Sequence, residues 1–296
     1  MIGFNGGLIG RSRPTAATSS VSGVWDAREQ EVAVRDTLWP GSLLDVYSGA
    51  TAAYSLRDLR AGTSGSAVVR VRRSSDNTEQ DFTAIQVTDG TLTTFCGAGN
   101  GFVRTWYDQS TSGNNAIQAT TSSQPRIVSG GVLETDGGKP AIVFGSGTNI
   151  HLAPTTQITI GATAAFFAVA KHTNPGGTWA FIFGENGGAT FTIGKTGGTA
   201  QLRILNTTFV DTDVTSKAVH YVQLGTGITR YRINIFYAAI VANITSASNW
   251  RIGNRSGNTG EQWVGPIQEV IYYPLTQVAT NNGIIANINS YYNIFS

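Results

Sequence analysis

The sequence predicts an all-β fold, an antiparallel β-sandwich with an extended N-terminal arm and short flanking helices. Three observations point there. Charged residues make up 13% of the 296-residue chain, about half the ~25% usual in globular domains. Glycine contributes 36 residues, roughly 12% against a usual ~7%, which suits strands joined by tight turns better than helices. Short apolar runs then recur every ~10–15 residues between Gly, Pro, Asn and Ser, a rhythm of antiparallel strands rather than βα units. The 6 Trp, 10 Tyr and 13 Phe supply ample apolar area and argue against disorder.

Residues 1–40 read as an arm. Met1 to Gly23 is rich in Gly, Ser and Thr, carries Arg11, Arg13 and Pro14, and follows no helical or strand period, so it cannot pack on itself. Asp26 is a suitable N-cap for a short helix over 27–38, which Trp39-Pro40 would close. Trp25 and Trp39 need a partner surface, on this chain's own domain or on another protein. With Arg11 and Arg13 they form the candidate assembly anchor.

Residues 41–296 read as one sandwich domain. A helix is expected over 51–59, ended by Gly62. Strands are expected at 67–72, 102–107, 141–144 and 164–170, then at 179–183, 189–193, 201–205, 220–224, 230–237, 250–252 and 266–273. A last helix is expected over 277–288, interrupted or strained at Gly283. No repeat of ~20–50 residues marks a solenoid.

Charge and cysteine exclude several functions. The net charge is +2, from 16 Arg and 4 Lys against 18 acids, with no basic stripe for a phosphate backbone. The nearest run, Arg70, Arg72 and Arg73, alternates with Val69 and Val71 and reads as the wet face of a strand; nucleic acid is not an expected partner. One cysteine, Cys96, rules out a disulfide framework and a cysteine zinc cluster. The opening Met1 to Gly7 has neither a basic start nor an apolar run, so no signal peptide is expected. No stretch approaches ~18 apolar residues, so membrane insertion is not expected either.

Metal and cofactor chemistry find no foothold. Asp76-Asn77 and Asp211-Thr212-Asp213 offer too few oxygens for Ca²⁺, which takes about six to eight. His151, His172 and His220 share no ligand spacing and read as surface or strand histidines. No Gly-x-Ser-x-Gly elbow occurs. The polar stretch Tyr107-Asp108-Gln109-Ser110 with Gly113-Asn114-Asn115 could face a sugar. Turn chemistry is the stronger reading: Asp108 and Ser110 bonding loop amides, and Gly113 at positive φ.

Several of these segments together carry a resemblance: Asp45-Val46-Tyr47, Tyr54 to Leu59, Val69 to Asn77, Thr94-Phe95-Cys96, Tyr107 to Ser110, Gly113 to Ala119 and Gly138 to Ala141. Over this third of the chain the sequence resembles the catalytic domain of fungal α-L-arabinofuranosidase B. The ending, Gly265 to Tyr273 followed by a helix, is similar to laminin-G-like lectin domains. The resemblance implies a concanavalin A/laminin-G-like jelly roll.

It also implies that the chemistry is lost. A retaining glycosidase needs two carboxyl groups ~5–5.5 Å apart. The resemblance puts Leu205, before Asn206, where the nucleophilic Glu should stand, and Asn254 or Arg255 where the acid should stand. The family's vicinal cysteines fall near Trp179-Ala180, and the partner of Cys96 falls on Gly101. Glu185 is the one carboxylate within reach of a shifted alignment. No catalytic residue and no metal is therefore expected, and the candidate glycan-binding residues are Trp179, Glu185, Asn206, Asn254 and Arg255. Aromatic platforms could add Trp250, Trp263, Tyr272 and Tyr273, although strand alternation should bury most of these.

The arm resembles the openings of tailed-bacteriophage virion proteins, through Gly6-Gly7-Leu8-Ile9-Gly10, Ser22-Gly23-Val24-Trp25 and Leu38-Trp39-Pro40. The expectation is a non-enzymatic virion structural protein, a tail fibre, spike or receptor-binding component, with host-surface polysaccharide as its candidate ligand. Its other partners would be virion proteins gripped by the arm. A capsid decoration or cement protein is the alternative, and an active arabinofuranosidase-like hydrolase the second. Repeated weak sugar sites and exposed strand edges favour a homo-oligomer, with a trimer preferred.

Overall fold

A computed structural model describes residues 42–63, 65–145, 149–156, 158, 163–173, 179–185, 192–196, 202–204, 207–209, 216–225, 228–233, 236–240, 250–255, 261–274 and 280–295. Helix α1 (Leu43–Val46) precedes β1 (Ala52–Ser55), β2 (Ala67–Arg73) and β3 (Glu79–Thr83). Helices α2 (Ala84–Thr88) and α3 (Thr91–Cys96) lead to β4 (Gly101–Trp106), β5 (Ala116–Ile117), β6 (Arg126–Ser129) and β7 (Val132–Leu133). Then come β8 (Thr135–Asp136), β9 (Lys139–Pro140), β10 (Ile142–Phe144), β11 (Ala153–Pro154) and β12 (Ala164–Ala170). The second half holds β13 (Trp179–Glu185), β14 (Thr192–Thr196), β15 (Leu202–Ile204), β16 (Thr207–Phe209) and β17 (Ala218–Gly225). After β18 (Ile228–Ile233), β19 (Phe236–Ile240), β20 (Trp250–Ile252) and β21 (Gly265–Tyr273), helix α4 (Asn281–Tyr292) ends the domain.

These strands make a jelly-roll sandwich. The larger sheet runs β11-β5-β4-β6-β10-β21-β12-β17-β18-β19, with β1 also on β21, β2 on β4, β3 on β2 and β7 on β6. The smaller runs β16-β15-β14-β13-β20. Every ladder between the described strands is antiparallel, and none of the described helices is long and apolar enough to cross a membrane.

The larger sheet is buried on both faces at its centre. Along β12, Ala164, Phe166 and Ala168 join one cluster with Ile182, Trp250 and Ile252 of the smaller sheet. The alternate residues Ala165, Phe167 and Val169 join a second cluster with Leu43 and Leu44 of α1 and Ile284, Ile285 and Ile288 of α4. The order is therefore small sheet, large sheet, helices. A strand covered on both sides reads as an unbroken apolar run, which is what β12 is.

The same physics corrects the helix expected over 51–59. That segment contains β1, all four residues buried, with Ala52 and Tyr54 in the first cluster and Ala53 in the second. With no polar face, its periodicity cannot separate strand from helix. Its backbone pairs with β21, Ala52 opposite Tyr272 through Ser55 opposite Glu269.

Other elements shift as well. The strand expected at 230–237 is a hairpin of β18 and β19. The last helix is displaced to 281–292 and runs unbroken through Gly283. A Cβ there would collide with the Tyr47 hydroxyl, so close helix packing accounts for the glycine. Arg72 does not lie on a wet face: Val69 and Val71 take the core side, as alternation requires, but the opposite face is covered at Arg72, which is 7% exposed. There Nε donates to Gln124 Oε1 (2.8 Å), Nη1 to Asn77 Oδ1 (2.7 Å), and the guanidinium covers the Phe102 ring. Helix α2 was signalled by Thr83-Ala84-Ile85-Gln86, a capping box in which Thr83 and Gln86 bond each other's amides.

The loop after β4 follows the turn-chemistry reading. Asp108 Oδ1 accepts from the Ala53 amide (2.8 Å) and the Ser110 amide (2.9 Å), and Oδ2 from the Ser110 hydroxyl (2.6 Å) and the Asn114 amide (2.9 Å). Gly113 has φ +65. Asp76 likewise closes its own turn, accepting from Thr78 N–H (3.0 Å) and Arg73.

Candidate functional site

Described polar side chains gather around β20, at the edge of the smaller sheet. Trp250 and Ile252 turn into the core, 1% and 0% exposed, and strand alternation sends Arg251 to the opposite face. On one side Arg251 stands opposite Gly184 of β13. On the other, Leu152 and Ile252 exchange both backbone hydrogen bonds, at 3.0 and 2.8 Å, which binds residues 149–152 to the edge of β20.

Asn149 holds this corner together from a left-handed backbone, φ +61. Its Oδ1 accepts from Arg251 Nη1 (3.3 Å) and Asn254 Nδ2 (2.9 Å), and its carbonyl accepts from His151 Nδ1 (2.7 Å). Asn254 is fully enclosed, and its Oδ1 accepts from the Arg255 amide (2.7 Å). Both ends of its amide are thus used inside the protein. Arg255 meets Glu261 through two nitrogens, Nε at 2.7 Å and Nη2 at 3.1 Å, above the Phe181 ring. Burial lowers the Arg251 pKa.

The remaining candidates are placed as follows. Trp179 and Glu185 begin and end β13, in register with Thr196 and Trp250; their side chains lie outside the described residues. So do Leu205, Asn206, Asp211 and Asp213 and the anchor residues Arg11, Arg13, Trp25 and Trp39. Trp250, Trp263, Tyr272 and Tyr273 are core residues at 1% exposure or less. Sequence reasoning missed Arg251 and Asn149. The run Trp250-Arg251-Ile252 held the signal for the first, a charge between one core aromatic and one core aliphatic; a left-handed asparagine leaves no pattern.

The three histidines are buried rather than superficial. His172 and His220 pack edge-on to Trp263. Burial pushes His220 down to about 4. Burial does the same to His151, also to about 4, with Arg251 adding to the effect and the Asn149 carbonyl opposing it. Above the unfolded value of ~6.5 neither residue makes stability pH-dependent. As pH falls below ~6.5 the unfolded chain takes protons that the folded chain refuses. Stability should therefore drop between pH ~6.5 and ~4, by up to about 3 kcal/mol per histidine. Melting temperatures across that range check this, and His220→Gln should flatten the slope; an unchanged slope refutes the assignment to His220.

No protein-family model matches the chain, and no curated protein matches it significantly. Solved structures do. The fold aligns with a GH54 α-L-arabinofuranosidase soaked with a cyclic sulfate inhibitor at TM-score 0.63 and 16% identity, over 85% of this chain and 65% of that one. An arabinofuranosidase complexed with arabinofuranosyl-α-1,2-xylobiose aligns at TM-score 0.61 and 16% identity, over 85% and 64%. This chain thus spans a little under two thirds of the length of those enzymes. The fold is theirs.

One residue correspondence can be tested directly. A Cβ on Gly101 would lie 2.8 Å from Cys96 Sγ, near the ~3 Å expected across a disulfide. Gly101→Cys should therefore oxidise to a disulfide with Cys96, stabilising the domain by about 2 kcal/mol over its reduced form. Joining two thiols is a two-electron oxidation, so an added oxidant is needed, and burial, which raises the Cys96 thiol to about 11 against an opposing pull from Arg73, will slow the reaction. Thiol titration should fall from two to zero; two persistent free thiols count against the alignment.

Proposed function

We propose that this chain is a non-enzymatic structural protein of a tailed-bacteriophage virion, exposed on the particle as a tail fibre, spike or receptor-binding component. Its sandwich binds host-surface glycan, and its arm, residues 1–40, attaches it to other virion proteins in a homo-oligomer, a trimer by preference. The observation that carries the reading is an arabinofuranosidase-type fold in which Asn254, one of the two residues that the sequence resemblance puts at the acid position, is an enclosed amide bonded at both ends. Its neighbour Arg255 is cationic and committed to Glu261. Neither residue can deliver a proton to a leaving group as a carboxylic acid does. The phage-like opening motifs support the setting.

The test combines a glycan array, presented multivalently, with adsorption of the full chain to host cells and turnover of aryl arabinofuranosides. Binding without turnover is expected. Turnover that disappears in Glu185→Gln overturns the non-enzymatic reading. Adsorption lost only on deleting residues 1–40, with no glycan bound, favours a cement role instead.

A further inference from the structure

We infer that the outer face of β20 selects an acidic sugar, with Arg251 as the group that recognises its carboxylate or sulfate. This rests on the glycan-binding reading and names the class of glycan. The described arginine side chains are otherwise answered: Arg57, Arg60, Arg70, Arg73, Arg104, Arg126 and Arg255 each meet a carboxylate, and Arg72 lies on an aromatic ring between two amides. Among the described residues Arg251 meets neither an acid nor a ring. One nitrogen donates to one neutral amide oxygen, and the rest of its donors are unused in a half-buried position.

The surroundings are matched to an anion. The described side-chain acceptors beside Arg251 are already engaged: Asn149 Oδ1 by two donors, Asn254 Oδ1 by the Arg255 amide, and the Glu261 carboxylate by its ion pair with Arg255. What remains is donor-rich: four N–H groups of Arg251 and the side-chain Nδ2 of Asn149. A planar guanidinium with two adjacent free N–H groups pairs with a carboxylate or sulfate bidentately. Partial burial strengthens that pairing because water competes less. Asn149 is a positioning residue, fixing the guanidinium from a backbone conformation that costs free energy and persists because its neighbours hold it.

The experiment measures binding of the full chain to four probes: glycans bearing uronic or sialic acids, sulfated glycans, neutral glycans, and inorganic sulfate alone. Wild type should bind one acidic class, weaken as salt rises, and ignore the same glycan after methyl esterification or desulfation. Arg251→Gln should lose at least tenfold, Arg251→Lys should recover part of it, and Arg255→Gln serves as a neighbouring-charge control. Equal melting temperatures for wild type and Arg251→Gln separate lost recognition from lost folding. Neutral glycans bound equally by wild type and Arg251→Gln overturn this inference and leave glycan binding standing. No glycan of any class bound overturns both. Binding of free sulfate with no glycan bound shows an anion site only and also defeats the proposal.

Discussion

Replacing Glu269 by alanine is expected to destabilise the domain by about 3–5 kcal/mol, the loss typical of breaking a buried ion pair from one side, or roughly 6–15 °C in melting temperature. Glu269 is fully buried on β21. Its Oε2 accepts from Arg57 Nε (2.8 Å), the Ser55 hydroxyl (2.9 Å) and the Tyr292 hydroxyl (3.2 Å), while Oε1 accepts from Arg57 Nη2 (3.0 Å). Arg57 in turn donates to Asn287 Oδ1 (3.0 Å) and faces the Tyr291 ring. Burial acts to lower the Arg57 pKa, and Glu269 more than reverses it. The network joins the end of β1, the middle of β21 and helix α4. Removing the carboxylate strands a desolvated guanidinium among two tyrosines. The double change Arg57→Met with Glu269→Met should recover most of the loss, since it removes both charges and keeps volume. Thermal melts of the three variants decide it; a double variant no better than Glu269→Ala shows that the unpaired charge is not the cause.

Asp108→Ala should cost a similar amount, about 3–5 kcal/mol. The alanine removes four acceptor contacts at once and leaves the amides of Ala53, Ser110 and Asn114 without their partner, at about 1–3 kcal/mol for each that stays buried. The neighbouring Gln109 depends on the same loop geometry, accepting from the Leu59 amide (2.7 Å) and donating to the Ser55 and Arg57 carbonyls (3.0 and 2.8 Å). Loss of Asp108 should therefore loosen the whole 53–60 segment. Asp108→Asn retains one oxygen and should fall between. Hydrogen exchange at Ala53 and Asn114 reports the local opening. A variant melting within about 2 °C of wild type rules out the role assigned to Asp108.

Asp108 also shows what could be read from the chain alone. Its spacing to Ser110 and Gly113 specifies a side-chain-closed turn because the partners within that turn are two to six residues away, and local chemistry is written locally; its bond to the Ala53 amide, far back in the chain, is not. Strands such as 164–170 and 250–252 were legible for the same reason, being bounded by turn residues. Segment 51–59 was not, because β1 is buried throughout and the strand it pairs with, β21, lies more than 200 residues further along the chain. Arg72 escaped because what covers its face, Gln124 and the Phe102 ring, comes from later parts of the chain. The five-residue candidate list for glycan binding came from a resemblance, whereas Arg251 stands out only once its neighbours' acceptors are seen to be occupied.

The pairing of β21 has a consequence for synthesis. This strand lies between β10 and β12 and also carries β1, yet it emerges after all of them. A ribosome must release the chain through Tyr273 before the large sheet can close, so a nascent polypeptide displays β1, β10 and β12 with no centre to zip against. Non-local closure of this kind is slow and exposes unpaired edges. Truncation before Gly265 should yield insoluble material that holds chaperones, and yield in a host should depend on chaperone supply more than on translation rate.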